Sequence, residues 1–217
     1  MFTGLIEAVG TVLAIEERAG SRRITVEAPG LAAKLSTGDS IAVSGVCLTA
    51  LDIAAPIFHA DLAAETVART SLTRLAPGTK VNLELPTPAG APLGGHVVQG
   101  HVDTTGTLIS LKPIHADSTN QTDWWLEIEV PESLRPFMVE KGSVAIEGIS
   151  LTIARWDGEK LSVAIIPHTY AATNLHTLAP GSPVNLEADI LIKMAQQKLE
   201  PKPAFELTVG YLIANGY

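Results

Sequence analysis

The sequence predicts an all-β protein: tandem duplicated six-stranded Greek-key β-barrels followed by one C-terminal α-helix. Three observations carry this expectation: an internal repeat, period-2 hydrophobic alternation within each copy, and turn residues at short spacing. The repeat is decisive. Glu65–Glu84 matches His168–Glu187 without gaps at an offset of 103, with 12 of 20 positions identical. Ser40–Thr49 falls on Ser143–Thr152 at the same offset, and Gly4–Gly10 falls on Gly100–Gly106 at an offset of 96. The second copy therefore holds extra residues between its first two blocks, an insertion that loops absorb.

Within each copy the strands follow from alternation. Ile24 and Val26, Ile41 and Val43, and Val81 and Leu83 mark strands in the first copy. Val144 and Ile146, Leu161 and Val163, and Val184 and Leu186 mark strands in the second. Ala19-Gly20, Pro29-Gly30, Thr37-Gly38, Pro77-Gly78, Asp157-Gly158 and Pro180-Gly181 read as the turns between them. Short helices are expected at about 67–75 and 170–178, with Thr66 and Thr169 as N-caps. Between the copies, Pro86, Pro88, Gly90, Pro92, Gly94 and Gly95 cannot continue a strand and read as a linker. The expected domains are 1–95, 96–188 and a C-terminal helix and tail over 189–217. In that last segment Asp189 can cap a helix whose apolar stripe is Ile190, Leu191, Met194, Ala195 and Leu199, ended by Pro201 and Pro203. The stripe has no counterpart in the first copy, so it packs either on its own barrel or on the same helix of another subunit.

Composition narrows the function. With 46% hydrophobic and 18% charged residues the 217-residue chain can pack a core, and a net charge of −8 leaves nothing to neutralise a phosphate backbone. Nucleic acid and membrane are not expected as partners. The start Met1-Phe2-Thr3-Gly4 lacks the basic residues of a secretory signal, and Cys47 alone excludes an intrachain disulfide, so a cytoplasmic protein is expected. There is neither a Walker loop nor a G-x-G-x-x-G motif, and no cofactor and no metal are expected.

The chemistry lies at matched positions. Residues two apart in a strand share a face, so Cys47 sits beside Thr49 in one copy as Ser150 sits beside Thr152 in the other. Small side chains in strands are ordinarily core filling, and their recurrence as nucleophile types at matched sites is what raises the functional reading. Glu65 and His168 also match, at the end of a matching strand, where a titratable group can move a proton or bind a ligand amide. His96 and His101 are five apart and project to opposite faces of a continuous strand, unless Gly100 bends it. A duplicated pocket without cofactor motifs suits a two-site binding protein, or an enzyme that joins two copies of one small molecule.

Several motifs resemble the riboflavin synthase α-chain family. They are Met1–Glu7, Gly38–Thr49, Gly94-Gly-His-Val-Val-Gln-Gly-His-Val-Asp103, Lys141–Thr152 and Ile165–Thr169, with a similar tail over 204–217. The resemblance spans nearly the whole chain. It implies a homotrimer joined by C-terminal helices, and the conversion of two 6,7-dimethyl-8-ribityllumazine molecules to riboflavin and 5-amino-6-(ribitylamino)uracil without a cofactor. It implies sites between the first barrel of one subunit and the second barrel of another, and it allows an association with lumazine synthase.

Carried over by motif, the first-barrel pocket is Gly4, Leu5, Ile6, Cys47, Leu48, Thr49, Asp61, Leu62, Ala63, Ala64, Glu65 and Thr66. The second is Gly100, His101, Val102, Lys141, Ser150, Leu151, Thr152, Ala164, Ile165, Ile166, Pro167, His168 and Thr169. Cys47, His101 and Ser150 are the expected catalytic residues, with their steps unassigned. The chain departs from the family pattern at Ala63-Ala64, Leu85 and Pro92-Leu93. The alternative in this family is a non-catalytic lumazine- or flavin-binding antenna protein, which typically degrades its second site.

Overall fold

A computed structural model describes residues 1–115, 122–199 and 213. The first repeat forms β1 (Ala8–Arg18), β2 (Ser21–Glu27), β3 (Ser40–Val43), β4 (Val46–Thr49), β5 (Leu51–Ala54), β6 (Ile57–Ala63) and β7 (Lys80–Glu84). These make one antiparallel sheet in the order β4-β3-β7-β1-β2-β6-β5. The second repeat forms β8 (Thr104–Pro113), β9 (Trp124–Glu129), β10 (Ser143–Ile146), β11 (Ile149–Thr152), β12 (Arg155–Trp156), β13 (Lys160–Ile165) and β14 (Pro183–Ala188), ordered β11-β10-β14-β8-β9-β13-β12. The two orders are the same. In each, the last strand returns between the first and third, which is the crossing of a Greek key. Each sheet has seven strands where six were expected, because the short segments β5 and β12 pair at one edge.

The alternation that marked the strands is the alternation of burial. Val12, Ile24, Val26, Ile41, Val43 and Leu83 are buried in the first core; Leu108, Ile128, Val144, Ile146, Leu161 and Leu186 are buried in the second. Burying each of these side chains stabilises the fold by roughly 1.5 to 3 kcal/mol. The hairpins β3–β4 and β10–β11 close on Ser44-Gly45 and Glu147-Gly148, two-residue turns with both φ values positive, the geometry that matches strand twist.

The helices differ from expectation at their starts. The helices α1 (Ala64–Arg69) and α2 (Pro167–Ala172) begin after Ala63 and Ile166, not at Thr66 and Thr169. Each is followed by a 3₁₀ turn, and the capping threonines are Thr70 and Thr173, whose hydroxyls accept from the Leu72 and Leu175 amides. The pattern held a threonine at both i and i+4, and the later one caps the tighter turn. In α3 (Ile190–Leu199) Asp189 does cap, its Oδ1 accepting from the Leu191 amide at 2.9 Å. Leu191 and Met194 of the expected stripe stay exposed. The side chain of Leu199, Pro201, Pro203 and, apart from Ile213, the 204–217 tail lie outside the described residues. No helix among the described residues is long and apolar enough to cross a membrane.

A buried polar seam fixes one barrel on the other. Asn82 Oδ1 accepts from the Asn174 amide at 2.7 Å and Asn185 Oδ1 accepts from the Ser71 amide at 2.6 Å. Their side-chain amides donate to the Glu147 and Ser44 carbonyls. Every one of these bonds has a partner related by the offset of 103, so the seam is a local two-fold axis. One departure from symmetry is Glu147, fully buried where the first repeat has Ser44, and ion-paired with Arg74 at 3.3 Å.

Candidate active site

Two matched cavities of about 220 Å³ lie on the outer faces of β4 and β11. In β4 Leu48 turns inward to the core, so Cys47 and Thr49 face outward together. The first cavity is walled by Cys47, Glu65, Thr66, Arg69, Gly100, His101 and Val102. The second is walled by Ser150, His168, Thr169, Gly4, Leu5 and Ile6.

This corrects the grouping expected from sequence. Gly4, Leu5 and Ile6 wall the second cavity, and Gly100, His101 and Val102 wall the first, because the opening segment of each repeat crosses to the other barrel. The Ser150 amide donates to the Gly4 carbonyl and the Cys47 amide to the Gly100 carbonyl, each at 2.8 Å. Ile6 packs on the second core and Val102 on the first. The two segments also pair with each other through Phe2 and Val98. A repeat alignment shows which residues correspond; it carries no information on which barrel an unpaired segment visits.

Close approach explains the glycines at the crossing. Gly4 and Gly100 have φ near 75° and 78°, and a Cβ at Gly4 would lie 2.6 Å from Ser150 Cβ, at Gly100 2.7 Å from Cys47 Cβ. Matched carboxylates hold the segments. Glu84 accepts from the Thr3 amide and hydroxyl and the Gly4 amide; Glu187 accepts from the Gln99, Gly100 and His101 amides. Burial pushes both carboxyls above their ordinary range, against the pull of these donors toward the ionised form.

Sequence reasoning missed His96. Its Nδ1 lies 2.7 Å from Ser150 Oγ, and burial lowers its pKa, opposed by the charge of Asp189. A neutral imidazole on a serine hydroxyl is a nucleophile and base pair. The signal available was the Gly-Gly-His run itself, whose small residues let the chain approach: a Cβ on Gly95 would stand 3.0 Å from Ser150 Oγ.

The remaining expected residues are not among the walls of either cavity. Leu48, Leu62 and Ile165 are buried in the cores, and Asp61 pairs with Arg23 at 2.9 Å. Thr49, Ala63, Ala64, Thr152, Ala164 and Ile166 are exposed, while Leu151 and Pro167 are half-buried. Lys141 is exposed at φ 67°, where the first repeat has Gly38. A lysine in the left-handed region carries a conformational cost of about 1 to 3 kcal/mol that the glycine avoids.

Two barrels, each with one walled cavity and one small nucleophile, define a tandem-site protein for small-molecule ligands. The family model described as "Lumazine binding domain" matches residues 3–86 and 99–189. The chain is 43% identical over its full length to the full length of the riboflavin synthase of Actinobacillus pleuropneumoniae. It is 34% identical, again over its full length and that of the relative, to the riboflavin synthase of Bacillus subtilis (strain 168). Among solved structures it is similar to LumP complexed with riboflavin, at a TM-score of 0.79 and 23% identity over 87% of this chain and 99% of that one. The chain belongs to the riboflavin synthase family of lumazine-binding-domain proteins.

Proposed function

We propose that the chain is a riboflavin synthase, a transferase that moves a four-carbon unit between two molecules of 6,7-dimethyl-8-ribityllumazine. The products are riboflavin and 5-amino-6-(ribitylamino)uracil. The atoms of the two substrates equal those of the two products, so no oxidant or reductant is required. One observation carries the reading: a chain similar over its whole length to riboflavin synthases keeps two matched cavities with a nucleophile in each. A binding-only protein has no use for the second nucleophile or for the imidazole at 2.7 Å from Ser150.

The residues divide the work by environment. His96 with Ser150 takes a proton from the acidic 7-methyl group of one lumazine or adds at C7 of the other; Cys47 and His101 serve the molecule in the first cavity. Backbone amides and the Lys141 ammonium stabilise the anions that form. Holding the two rings face to face supplies on the order of 7 to 11 kcal/mol of the bimolecular barrier. The working pair is the first cavity of one subunit and the second cavity of a neighbour in a homotrimer joined through Leu191 and Met194 of α3. Incubating the purified chain with the lumazine alone tests this: riboflavin and the uracil form in equal amounts, and stoichiometric binding without riboflavin would sink the enzyme reading in favour of the antenna protein.

A further inference from the structure

Residues 96–103 serve both cavities, since His96 reaches Ser150 and His101 walls the Cys47 cavity. The segment lies outside the named strands; besides backbone bonds of Val98 to Phe2, of the Gly100 carbonyl to Cys47 and of the Asp103 amide to Leu186, two carboxylate side chains anchor it. The first anchor is Glu187, which takes the three consecutive amides of Gln99, Gly100 and His101 at 2.7 to 3.1 Å. The second is Asp103, whose Oδ2 accepts from the Ala188 amide at 2.9 Å. Two carboxylates beside one another repel, and a cation answers them: Lys193 Nζ lies 2.7 Å from Asp103 Oδ2.

The first repeat shows what this cation adds. There Glu84 takes the place of Glu187, and Glu7 takes the place of Asp103, with Glu7 Oε1 accepting from the Leu85 amide at 2.8 Å. The nearest cation is Lys34 at 3.9 Å from Glu7, with both side chains well exposed. The tight pair is thus particular to the repeat whose opening segment carries both histidines, and it comes from the one helix that has no counterpart in the first repeat.

We propose that Lys193 is a positioning residue for the reaction: from the first turn of α3 it compensates the Asp103 and Glu187 carboxylates, and so fixes His96 and His101 relative to Ser150 and Cys47. This rests on the functional reading above and assigns α3 a role inside each chain besides its apolar stripe. The charged and titratable groups that face one another here are Glu187 on β14, Asp103 before β8, Asp189 capping α3, Lys193 on α3, and His96 and His101 on the segment itself. Lys193 opposes the upward push of burial and of Asp103 on the Glu187 carboxyl. Without it, Glu187 takes a proton at higher pH, gives up acceptor capacity, and loosens its hold on the Gln99, Gly100 and His101 amides.

The test is the pH profile of Lys193→Met, Lys193→Arg, Asp103→Asn and the Lys193→Met/Asp103→Asn double variant, with Lys34→Met as the matched control. Lys193→Met is expected to lose about tenfold in turnover at neutral pH, and its acid limb to move up by about one pH unit, the scale of a lost neighbouring charge. Lys193→Arg restores both. The double variant loses less than the product of the single losses, because the repelling carboxylate has gone with its counter-ion. Lys34→Met leaves the profile in place. An unmoved acid limb in Lys193→Met, or multiplicative losses in the double variant, overturns the proposal, as does an equal shift in Lys34→Met. Where Lys193→Met does not fold, the Arg and Asp103→Asn profiles decide it: the Arg limb stays at the wild-type pH, and Asp103→Asn moves the limb down. The same profiles read by lumazine binding, followed by ligand fluorescence, keep this result separate from any failure of the wild-type chain to make riboflavin.

Discussion

The Cys47 and Ser150 cavities share a strand, a crossing glycine and a carboxylate clamp, yet they are armed differently. Ser150 has an imidazole at 2.7 Å, whereas Cys47 packs beside Phe2, Ala42, Val98 and Ala145 in a small apolar cluster. At the next matched position Glu65 is bonded to Arg69 one helical turn on, while the exposed His168 stands in its place in the second repeat. Duplication preserved the walls and changed the titratable groups. Two copies of one molecule can then be held alike and treated unlike, one as the donor of four carbons and one as the acceptor.

The largest effect expected is at the second cavity. Ser150→Ala and His96→Gln should each lower turnover roughly 100- to 10,000-fold, the range of a positioned proton-transfer group, with lumazine binding retained at the Cys47 cavity. Equal activity in His96→Gln, measured as riboflavin formed, would break the distinction drawn between the cavities. Cys47→Ala should also cost turnover, and mixing it with Ser150→Ala under subunit exchange sharpens the comparison. Sites that combine an intact first cavity from one chain with an intact second cavity from another regain activity; sites built within one chain regain none.

Acid tests the same pair. Burial holds the His96 pKa below its ordinary 6.5, so the folded chain binds a proton there less readily than the unfolded one. Stability from this group is therefore whole above about 6.5 and is lost as pH falls through the lowered value. Thermal melts of His96→Gln should show a flatter pH dependence in that interval. Next comes Gly100→Ala, whose added Cβ meets Cys47 at 2.7 Å: a loss of about 1 to 3 kcal/mol in denaturant melts, with binding impaired at the Cys47 cavity first. Gly4→Ala should do the converse. The smallest effect is a control on the symmetry itself. Thr70→Ala and Thr173→Ala remove matched caps and should each cost about 1 kcal/mol, and unequal losses would show that the two 3₁₀ turns are not equivalent.

Much of this was legible in the residues. Val81, Leu83, Val184 and Leu186 alternate because one face of each strand is core, and that local rule marks the strands in the sequence itself. Cys47 and Ser150 could be paired by offset, and they do face outward from β4 and β11. Thr66 and Thr169 misled because α1 and α2 start three residues earlier without a side-chain cap, and the capping threonines, Thr70 and Thr173, serve the separate 3₁₀ turns that follow. The exchange of opening segments and the contact of His96 with Ser150 were illegible for a different reason. Both are contacts between distant stretches with no hydrophobic periodicity, fixed by carboxylate clamps and glycine clearance that no local pattern encodes. Lys141 is intermediate, since its counterpart Gly38 reveals the left-handed position but not why a lysine is kept there.

The antiparallel contact of Phe2 with Val98 has a consequence for how such a chain could be divided. Cut between its repeats, each half would keep its own arm and lose the wall that its cavity borrows. Two copies of one half, turned about the same two-fold axis and lending arms to each other, would rebuild both walls. The tandem chain has the geometry of a swapped homodimer joined by a linker, and in it only the second half carries an imidazole on its nucleophile and the extra helix.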